Sequence, residues 1–225
     1  LLDLYIGIYK QCQKKWLKMS REILPNTGFI KSKLNKKEIS RLNSYIKNKK
    51  NKWNHKLAGN ISSSYFLEDK DNWFFNNVLL SLIQQYQKED LTAIIPAVLT
   101  KNCSYVLDSF WVNFQKKYEF NPAHSHQGVF SFVVWLEIPS SHKKEKELKF
   151  IKESNSPNSN TFEFVYLNIL GQVSTQQFHL EPEDKGTILL FPASLLHQVY
   201  PFYLSNKHRI SISGNIALDP TKIIK

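Results

Sequence analysis

The chain has 225 residues, of which 42% are hydrophobic and 13% aromatic, and this length allows one sizeable hydrophobic core. The formal net charge of +11 permits an anionic partner such as nucleic acid, although lysine is spread through the whole chain. The two cysteines, Cys12 and Cys103, argue against a disulfide-stapled secreted domain. No apolar run approaches the roughly 18 residues that span a bilayer, and no signal-peptide pattern is present. We therefore expect a cytoplasmic protein without a membrane segment.

The N-terminal part of the chain carries helical patterns. Residues 1–20 have apolar side chains at helical spacing with lysines opposite. Residues 21–34 contain Pro25 and Gly28 and are predicted to be a connector. A short, very basic helix is expected to begin after Asn35.

A second helix is expected further along. Residues 54–68 are predicted to form an edge strand or a loop, and residues 70–89 to form the helix, with Asp71 near its start. A helix is expected here because apolar residues recur at a spacing that places them on one face. That face consists of Trp73, Phe74, Val78, Leu79, Leu82 and Ile83.

From residue 104 onward the pattern changes to short strands separated by turn signals. An apolar run at 127–138 is predicted to be a buried strand that ends at Pro139. Residues 143–152 are predicted to be a charged loop leading into a strand. The two strands on either side of Gly171 are predicted to pair as a hairpin.

This order of elements favours an α+β fold dominated by β structure. Several short strands with turns between them indicate a sandwich, barrel or jelly roll, and the helices precede them. We expect an N-terminal helical region at 1–100 that packs on a β core at 101–225, with both parts in one structural domain.

Five polar residues in the C-terminal half form a candidate site. His124 and His126 are two residues apart, a spacing that places both imidazoles on one face of an extended segment. A third histidine, His197, follows another predicted strand, and Arg209 and Ser211 again share a strand face. Three imidazoles can hold a metal ion, and arginine presents a planar fork that binds carboxylates. The residues therefore predict a metal site beside an anion clamp.

These residues lie in three segments, NPAHSHQG, GTILLFPASLLH and RISISGN. In their order, spacing and residue identities, the segments resemble those of the 2-oxoglutarate/iron(II)-dependent dioxygenases, most closely the prolyl-4-hydroxylase-like and phage-encoded oxygenases. The resemblance covers roughly residues 100–218. It implies a double-stranded β-helix, which is a jelly roll, with Fe(II) as cofactor, 2-oxoglutarate and O2 as cosubstrates, and possible support by ascorbate. The implied reaction hydroxylates a protein, peptide or small molecule and releases succinate and carbon dioxide.

The resemblance also implies a role for each residue. His124 occupies the position of the first metal ligand and His197 that of the distal ligand. Arg209 occupies the position that binds the far carboxylate of 2-oxoglutarate, with Ser211 assisting. His126 departs from the pattern, because most of the superfamily has Asp or Glu there. His126 is either a third ligand or the neighbour of a carboxylate supplied from elsewhere, for which Asp108, Glu119 and Glu137 are the candidates.

Further expectations concern the surroundings of the site. A halogenase-like interpretation would use Gly128 to leave room for a halide. The candidate hydrogen-bond partners of the histidine ring nitrogens are Asn113, Asn121 and Gln198. Aromatic residues that could wall the pocket, or serve only as core, are Trp111, Phe130, Phe132 and Trp135.

Two other functions remain open at this point. One is a cupin-like metal-binding jelly-roll module without 2-oxoglutarate chemistry, and the other is an oxygenase that acts on nucleic acid. A carboxylate clamp at Arg209 argues against the first, and the absence of a recognisable base-stacking motif weakens the second. The prime substrate is not identified, because substrate choice depends on loops such as 139–161 and on the N-terminal helices.

Overall fold

The structure is a computed structural model that describes residues 27–49, 51–88 and 103–223. The predicted helix at 1–20 lies outside the described residues. The strands are β1 (Ile30–Lys33), β2 (Ser64–Phe66), β3 (Cys103–Gln115), β4 (Asn121–His124), β5 (Phe130–Glu137), β6 (Thr161–Leu167), β7 (Val173–His179), β8 (Thr187–Pro192), β9 (Leu196–Val199) and β10 (Arg209–Ile223). The α-helices are α1 (Lys36–Lys47), α2 (Leu80–Lys88), α3 (His142–Glu145) and α4 (Lys149–Lys152).

The strands form two antiparallel sheets. The larger sheet has the order β1-β8-β5-β10-β3-β2, and the smaller sheet has the order β4-β9-β6-β7. The expectation of a fold dominated by β structure is thus confirmed, and its sheets are antiparallel. The jelly-roll connectivity and the boundary between residues 100 and 101 stay predictions.

Strand β5 explains how the larger sheet separates two cores. Its first seven residues are all buried, because successive side chains point to opposite faces of a sheet and both faces of this strand are covered. Phe132 and Val134 face the core beneath the helices. Val133 and Trp135 face the second core, which they share with Phe162 of the smaller sheet. A continuous apolar run in the sequence is therefore a strand buried on both sides.

Helix α1 begins where the sequence predicts. The Asn35 side chain accepts a hydrogen bond from the backbone N–H of Glu38, and the Glu38 carboxylate accepts one from the backbone N–H of Asn35. This reciprocal cap satisfies two N–H groups that a helix start leaves without partners. The buried residues Leu42 and Tyr45 attach the helix to the first core.

The predicted helix at 70–89 is real, but its start differs from the prediction. Asp71 has φ of 59° and lies in a 3-10 turn before the helix proper. The carboxylate that caps the helix belongs to Asp69, which accepts hydrogen bonds from the backbone N–H groups of Phe74 and Phe75 at 2.9 and 2.8 Å. A π-helical turn, Phe75–Leu79, then leads into α2.

Two other sequence predictions were wrong. The connector predicted at 21–34 contains β1, which pairs with β8 at the edge of the larger sheet. Residues 143–152 form α3 and α4 and do not lead into a strand. Their conformation depends on Glu145, whose fully buried carboxylate accepts hydrogen bonds from the backbone N–H groups of Tyr203 and Leu204. Those partners are distant in sequence, so the local charge pattern could not predict these hydrogen bonds.

The hairpin predicted around Gly171 is confirmed. Strands β6 and β7 pair from Thr161 opposite His179 to Leu167 opposite Val173. Gly171 lies in the connecting turn with φ of 76°, a conformation that glycine adopts without steric strain. None of the helices in the described ranges is long and apolar enough to cross a membrane.

Candidate functional site

Strand pairing brings the three predicted histidines together. His124 is the last residue of β4 and lies directly opposite His197 of β9. The backbone N–H of His126 donates to the carbonyl of Ala193 at 2.8 Å, which holds the segment after β4 against the turn before β9. The distance between ring centroids is 4.4 Å for His124 and His197, 4.9 Å for His124 and His126, and 5.1 Å for His126 and His197. The three imidazoles therefore form one cluster.

The ring nitrogens of this cluster are arranged as potential ligands. One nitrogen from each of the three rings lies within 4.8 Å of the others. The Nδ1 atom of His124 is 2.7 Å from the carbonyl oxygen of Pro122, and that of His197 is 2.9 Å from the carbonyl oxygen of Leu195. Because Nδ1–H donates to these carbonyls, Nε2 of both rings keeps its lone pair for a metal ion.

The imidazoles are held in the neutral form. Burial, together with the neighbouring His124, lowers the pKa of His126 to about 4 and that of His197 to about 3. Burial also lowers the pKa of His124. Neutral imidazole is the form that binds transition metals.

No carboxylate belongs to this cluster within the described residues. Glu119 accepts hydrogen bonds from the backbone N–H groups of Ser62 and Lys116. Glu137 forms an ion pair with Lys185 at 3.0 Å, and Asp108 is exposed on β3. The three candidates for a substitute carboxylate are thus engaged or oriented elsewhere, and His126 is the residue that joins the other two histidines.

Gly128 has a backbone role. Its φ is 105°, and an added Cβ atom would lie 2.7 Å from the carbonyl oxygen of Ile216 in β10. The position that a Cβ atom would take is therefore occupied by the backbone of the larger sheet. This contact accounts for a glycine at the turn into β5, and the halogenase-like interpretation of His126 and Gly128 stays a hypothesis.

Arg209 is buried at the inner face of the larger sheet, with 1% of its surface exposed. Its Nε and Nη2 atoms donate to Oε1 of Gln115 at 3.1 and 2.7 Å, and Nη2 also donates to the carbonyl of Tyr200 at 2.9 Å. Its Nη1 atom donates to Oδ1 of Asn160 at 2.9 Å. A guanidinium has five N–H donors, so these four hydrogen bonds leave one N–H on Nη1. The fork expected to face a ligand carboxylate faces Gln115 instead.

Asn160 and Gln115 fix the position of this guanidinium. The Nδ2 atom of Asn160 donates to the carbonyls of Ser140 and Leu180, both at 2.8 Å. The Nε2 atom of Gln115 donates to the carbonyl of Glu119 at 2.5 Å. Both side chains are buried and present their oxygen atoms to Arg209. The arginine is thereby held by neutral acceptors, and no acidic side chain within the described residues lies within ion-pair distance of it.

The histidine cluster and Arg209 line one cavity of about 170 Å³. Ser211 and Ser213 of β10 also line it. Of the four aromatic residues considered for the wall, Trp111 and Trp135 line the cavity, Phe132 lines it and also belongs to the core beneath the helices, and Phe130 belongs to that core alone. The far wall consists of the aromatic rings of Phe162 and Phe191. The cavity therefore combines polar groups from five strands with several aromatic side chains.

The partners of the histidine nitrogens differ from those expected. Asn113 accepts a hydrogen bond from Oγ of Ser64, and Gln198 donates to Glu163 and Tyr200. Asn121 lines the cavity without a partner on its Oδ1 atom. The backbone carbonyls of Pro122 and Leu195 fill the role that the sequence analysis sought among side chains.

Three residues of the site were missed in the sequence. Gln115 and Asn160 support Arg209 from positions 94 and 49 residues away in the chain. Lys56 lines the cavity from the N-terminal segment that precedes β2. The contact between Gln115 and Arg209 can be predicted only when β3 and β10 are known to be neighbouring strands, because the two residues lie opposite each other in that pairing.

Comparison with known families gives one match to the chain. The family described as putative 2OG-Fe(II) oxygenase matches residues 109–215. This range contains all five predicted site residues, from His124 to Ser211. It also contains Gln115 and part of each of the two strands, β3 and β10, that carry Gln115 and Arg209. Comparison with curated proteins found no match.

The solved structures that match this chain include several oxygenases. A prolyl-4-hydroxylase from Pseudomonas putida is 12% identical, with 85% of this chain and 93% of that chain covered and a TM-score of 0.46. A 2OG-Fe(II) oxygenase-family oxidoreductase from Burkholderia pseudomallei is 12% identical, with coverage of 84% and 85% and a TM-score of 0.45. The viral collagen prolyl hydroxylase from Paramecium Bursaria Chlorella virus-1 is 14% identical, with coverage of 84% and 94% and a TM-score of 0.41.

These distant likenesses carry no argument about substrate. The assignment depends on the family match, which covers the residues that the sequence analysis singled out. It agrees with the cluster of three histidines on neighbouring strands. Residues 109–215 of the chain are thus similar to the 2-oxoglutarate/Fe(II)-dependent oxygenases, and this match supports an enzyme of the oxidoreductase class.

Proposed function

We propose that the protein is a 2-oxoglutarate-dependent hydroxylase in which His124, His126 and His197 hold Fe(II). The observation that carries the proposal is the convergence of these imidazoles in the same cavity as the buried Arg209. A hydroxylase that uses 2-oxoglutarate needs a metal site and a group that binds the carboxylate of the cosubstrate, and the cavity has residues suited to both tasks.

The donor set fits a divalent first-row transition metal. Imidazole is a common ligand for iron, and three protein ligands leave coordination positions for a cosubstrate and O2. The two Nδ1–carbonyl contacts orient the rings of His124 and His197, which is the usual task of groups behind metal-bound histidines. His126 serves as the third ligand in this proposal, because no carboxylate within the described residues shares the cluster.

The surroundings of Arg209 fit a dianionic 2-oxo acid. Burial lowers the pKa of Arg209 to about 9, while the nearby Glu145 opposes this shift. A buried cation that contacts only neutral oxygens is stabilised further when an anion approaches. The remaining N–H of Nη1 and the hydroxyl of Ser211 are the donors available to the far carboxylate. A ligand that binds through the fork itself would first displace Gln115.

The other residues of the cavity exclude water and position the substrate. The ring of Phe162 stacks on His197 at a centroid distance of 5.6 Å, and that of Phe191 meets His197 edge to face at 4.9 Å. Iron(II) with 2-oxoglutarate supplies oxidising power from O2, releasing succinate and carbon dioxide and hydroxylating the prime substrate. The aromatic side chains near His197 would limit the access of water to this chemistry. The prime substrate of this proposal is a peptide, a protein or a small molecule.

The proposal is tested by binding and turnover of 2-oxoglutarate. Anaerobic calorimetry would measure Fe(II) binding to the apoprotein and 2-oxoglutarate binding to the iron-loaded protein. We expect His124→Ala and His126→Ala each to weaken iron binding at least about tenfold, because each removes a ligand. Arg209→Ala should weaken 2-oxoglutarate binding while iron binding persists. Succinate formation in air, with and without ascorbate, would then test turnover.

A matched control is His208→Ala, since His208 contacts the ring of Phe114 and does not line the cavity. This variant should bind iron like the parent protein. Iron binding without any affinity for 2-oxoglutarate would indicate the cupin-like alternative and contradict the proposal. Failure to bind iron would contradict the metal site itself.

A further inference from the structure

An apolar patch lies on the surface at one end of the molecule. We call it the loop patch, and it consists of Tyr118, Phe150, Tyr203 and Leu204. Tyr118, Phe150 and Leu204 are 61%, 59% and 52% exposed. The ring of Tyr203 joins the first two, because its centroid lies 5.6 Å from that of Tyr118 and 5.0 Å from that of Phe150. Apolar groups that gather on a surface, unlike single ones, indicate a site of interaction.

The loop patch lies away from the histidine cluster. Its side chains come from the segment between β3 and β4, from α4, and from the segment between β9 and β10. The first of these segments precedes β4, whose last residue is His124, and the third follows β9, whose second residue is His197. None of the four patch residues lines the cavity. A partner bound to the patch would therefore contact a surface other than the candidate active site.

The backbone around the loop patch holds its side chains outside. Tyr118 has φ of 69°, a conformation that is uncommon for residues other than glycine. Its N–H donates to the carbonyl of Phe202 at 3.0 Å. The buried carboxylate of Glu145 accepts hydrogen bonds from the N–H groups of Tyr203 and Leu204 at 3.0 and 2.9 Å. Backbone strain at an exposed aromatic residue suggests that the position of its ring serves a function.

The surface around the loop patch is rich in lysine. Eight lysines and four glutamates lie in the three segments that carry the patch, 116–120, 142–153 and 203–208. The Nζ atom of Lys117 lies 5.3 Å from the centroid of the Tyr118 ring. Lys149 is exposed and precedes Phe150 in α4. The other exposed lysines of these segments are Lys116, Lys143, Lys144, Lys146, Lys152 and Lys207.

The glutamates of the same segments neutralise only part of this charge. The carboxylate of Glu119 accepts hydrogen bonds from two backbone N–H groups, and Glu145 is fully buried. Glu147 forms an ion pair with Lys152 at 2.9 Å, and Glu153 is exposed. Two of the four carboxylates are thus bound to the backbone while the lysines point to solvent or cover the patch. The surface keeps an excess of positive charge, which attracts an anionic partner.

We propose that this end of the molecule binds the surface of an anionic lipid bilayer, with the loop patch among the headgroups and the neighbouring lysines against the lipid phosphates and carboxylates. Apolar side chains that enter the interface and lysines close to an anionic leaflet both strengthen such binding. Binding of this kind requires no helix that spans the bilayer. The inference goes beyond the proposed function and involves neither iron nor 2-oxoglutarate.

A bilayer fits the loop patch better than a nucleic acid or a protein does. Bases stack on the faces of aromatic rings, whereas the rings of Phe150 and Tyr203 meet at an interplanar angle of 88° and Leu204 has no ring. Protein–protein interfaces are depleted in lysine, whereas lysine is the commonest residue in the three segments that carry the patch. A bilayer accepts any apolar side chain and is compatible with many lysines.

The test is sedimentation of the full chain with lipid vesicles. Vesicles of phosphatidylcholine with about 30% phosphatidylserine would be compared with vesicles of phosphatidylcholine alone. We expect binding to the anionic vesicles to be at least about tenfold tighter, because several lysines lie near the surface. Raising the salt concentration from about 0.1 M to about 0.5 M should weaken this binding, because it screens exposed charges.

Three variants test the parts of the surface. Tyr118→Asn removes the ring and places at this φ a residue that adopts it more readily, so the urea midpoint should stay at or above that of the parent protein. Binding to anionic vesicles should nevertheless fall about fivefold in Tyr118→Asn and in Phe150→Ser. Lys149→Glu should weaken binding roughly tenfold, because it replaces an attracted charge by a repelled one.

The matched controls make the same kinds of change elsewhere. Leu170→Ser alters a side chain that is 78% exposed at the turn between β6 and β7. Lys37→Glu makes the same change of net charge on the exposed side of α1. Both variants should bind anionic vesicles like the parent protein.

Four results would overturn the inference. They are no binding to anionic vesicles, equal losses in the controls and the patch variants, tighter binding of a single-stranded oligonucleotide that displaces the vesicles, and a lipid-free dimer in sedimentation velocity that Tyr118→Asn dissociates. The third would indicate a nucleic-acid partner and the fourth a second copy of the chain.

Discussion

The hydrogen bonds between Gln115 and Arg209 give the sharpest test of how the anion clamp is built. Gln115→Ala removes the acceptor of two hydrogen bonds, at 3.1 and 2.7 Å, from a guanidinium that is 1% exposed. Leaving donors of a buried charge without partners destabilises the folded state strongly. Water entering the vacated space would recover part of this loss. We expect the free energy of unfolding to fall by about 3 kcal/mol.

Gln115→Glu should leave the stability almost unchanged and weaken the binding of 2-oxoglutarate. The introduced carboxylate would pair with Arg209, so stability should stay within about 1 kcal/mol of the parent protein, because Coulomb attraction offsets desolvation. It would also neutralise the cation that attracts 2-oxoglutarate. We expect affinity for 2-oxoglutarate to fall at least about tenfold in this variant.

Urea denaturation and calorimetry would separate the two effects. With a slope of about 3 kcal/mol/M for urea, a loss of 3 kcal/mol moves the midpoint by about 1 M. Gln176→Ala and Gln176→Glu are matched controls, because Gln176 is exposed on β7. A loss below about 1 kcal/mol in Gln115→Ala, or unchanged 2-oxoglutarate affinity in Gln115→Glu, would refute this account of the clamp.

Two further predictions concern stability. Gly128→Ala should lower the free energy of unfolding by about 3 kcal/mol in urea, because the residue has φ of 105° and its Cβ would meet Ile216. Gly171→Ala, with φ of 76° and open space around it, should cost only about 1 kcal/mol, and equal losses would contradict this reasoning. Burial raises the pKa of Tyr45 to about 12, above its value of about 10 in the unfolded chain. The unfolded chain therefore loses this proton first, and stability should fall by roughly 2 kcal/mol as pH rises from about 10 to about 12. In Tyr45→Phe, the free energy of unfolding measured by urea denaturation at each pH should fall less between these pH values. The same fall in this variant as in the parent protein would contradict the prediction.

The local sequence pattern was sufficient for the elements that depend on neighbours in the chain. The pair Asn35 and Glu38 indicates the start of α1 in the sequence, because the two residues of that cap are only three positions apart. The turn at Gly171 is likewise a local feature. The apolar run of β5 predicts a buried strand by its composition alone. The resemblance in three short segments pointed to the five site residues and to the superfamily that the family match supports.

Prediction failed where a residue acts through a distant partner. Residues 143–152 carry a charge pattern typical of a surface loop, yet Glu145 is fully buried because backbone N–H groups near residue 203 bind it. Asp71 was favoured as the acid at the helix start because of its position. In the structure, the conformation of the turn places the carboxylate of Asp69, not that of Asp71, at the backbone N–H groups of the helix start.

The sequence by itself determined which side chains could form the site. Three histidines, an arginine and a serine in this order suffice to predict a metal beside an anion-binding group. Only the tertiary structure decided how they are connected. The register of β4 with β9 places His124 opposite His197, and that of β10 with β3 places Arg209 opposite Gln115. Side-chain periodicity reports the direction of a residue relative to its own strand, whereas contacts between strands depend on a register that distant residues set together. For that reason the engagement of Arg209 by Gln115 and the position of Lys56 at the cavity emerged only from the fold.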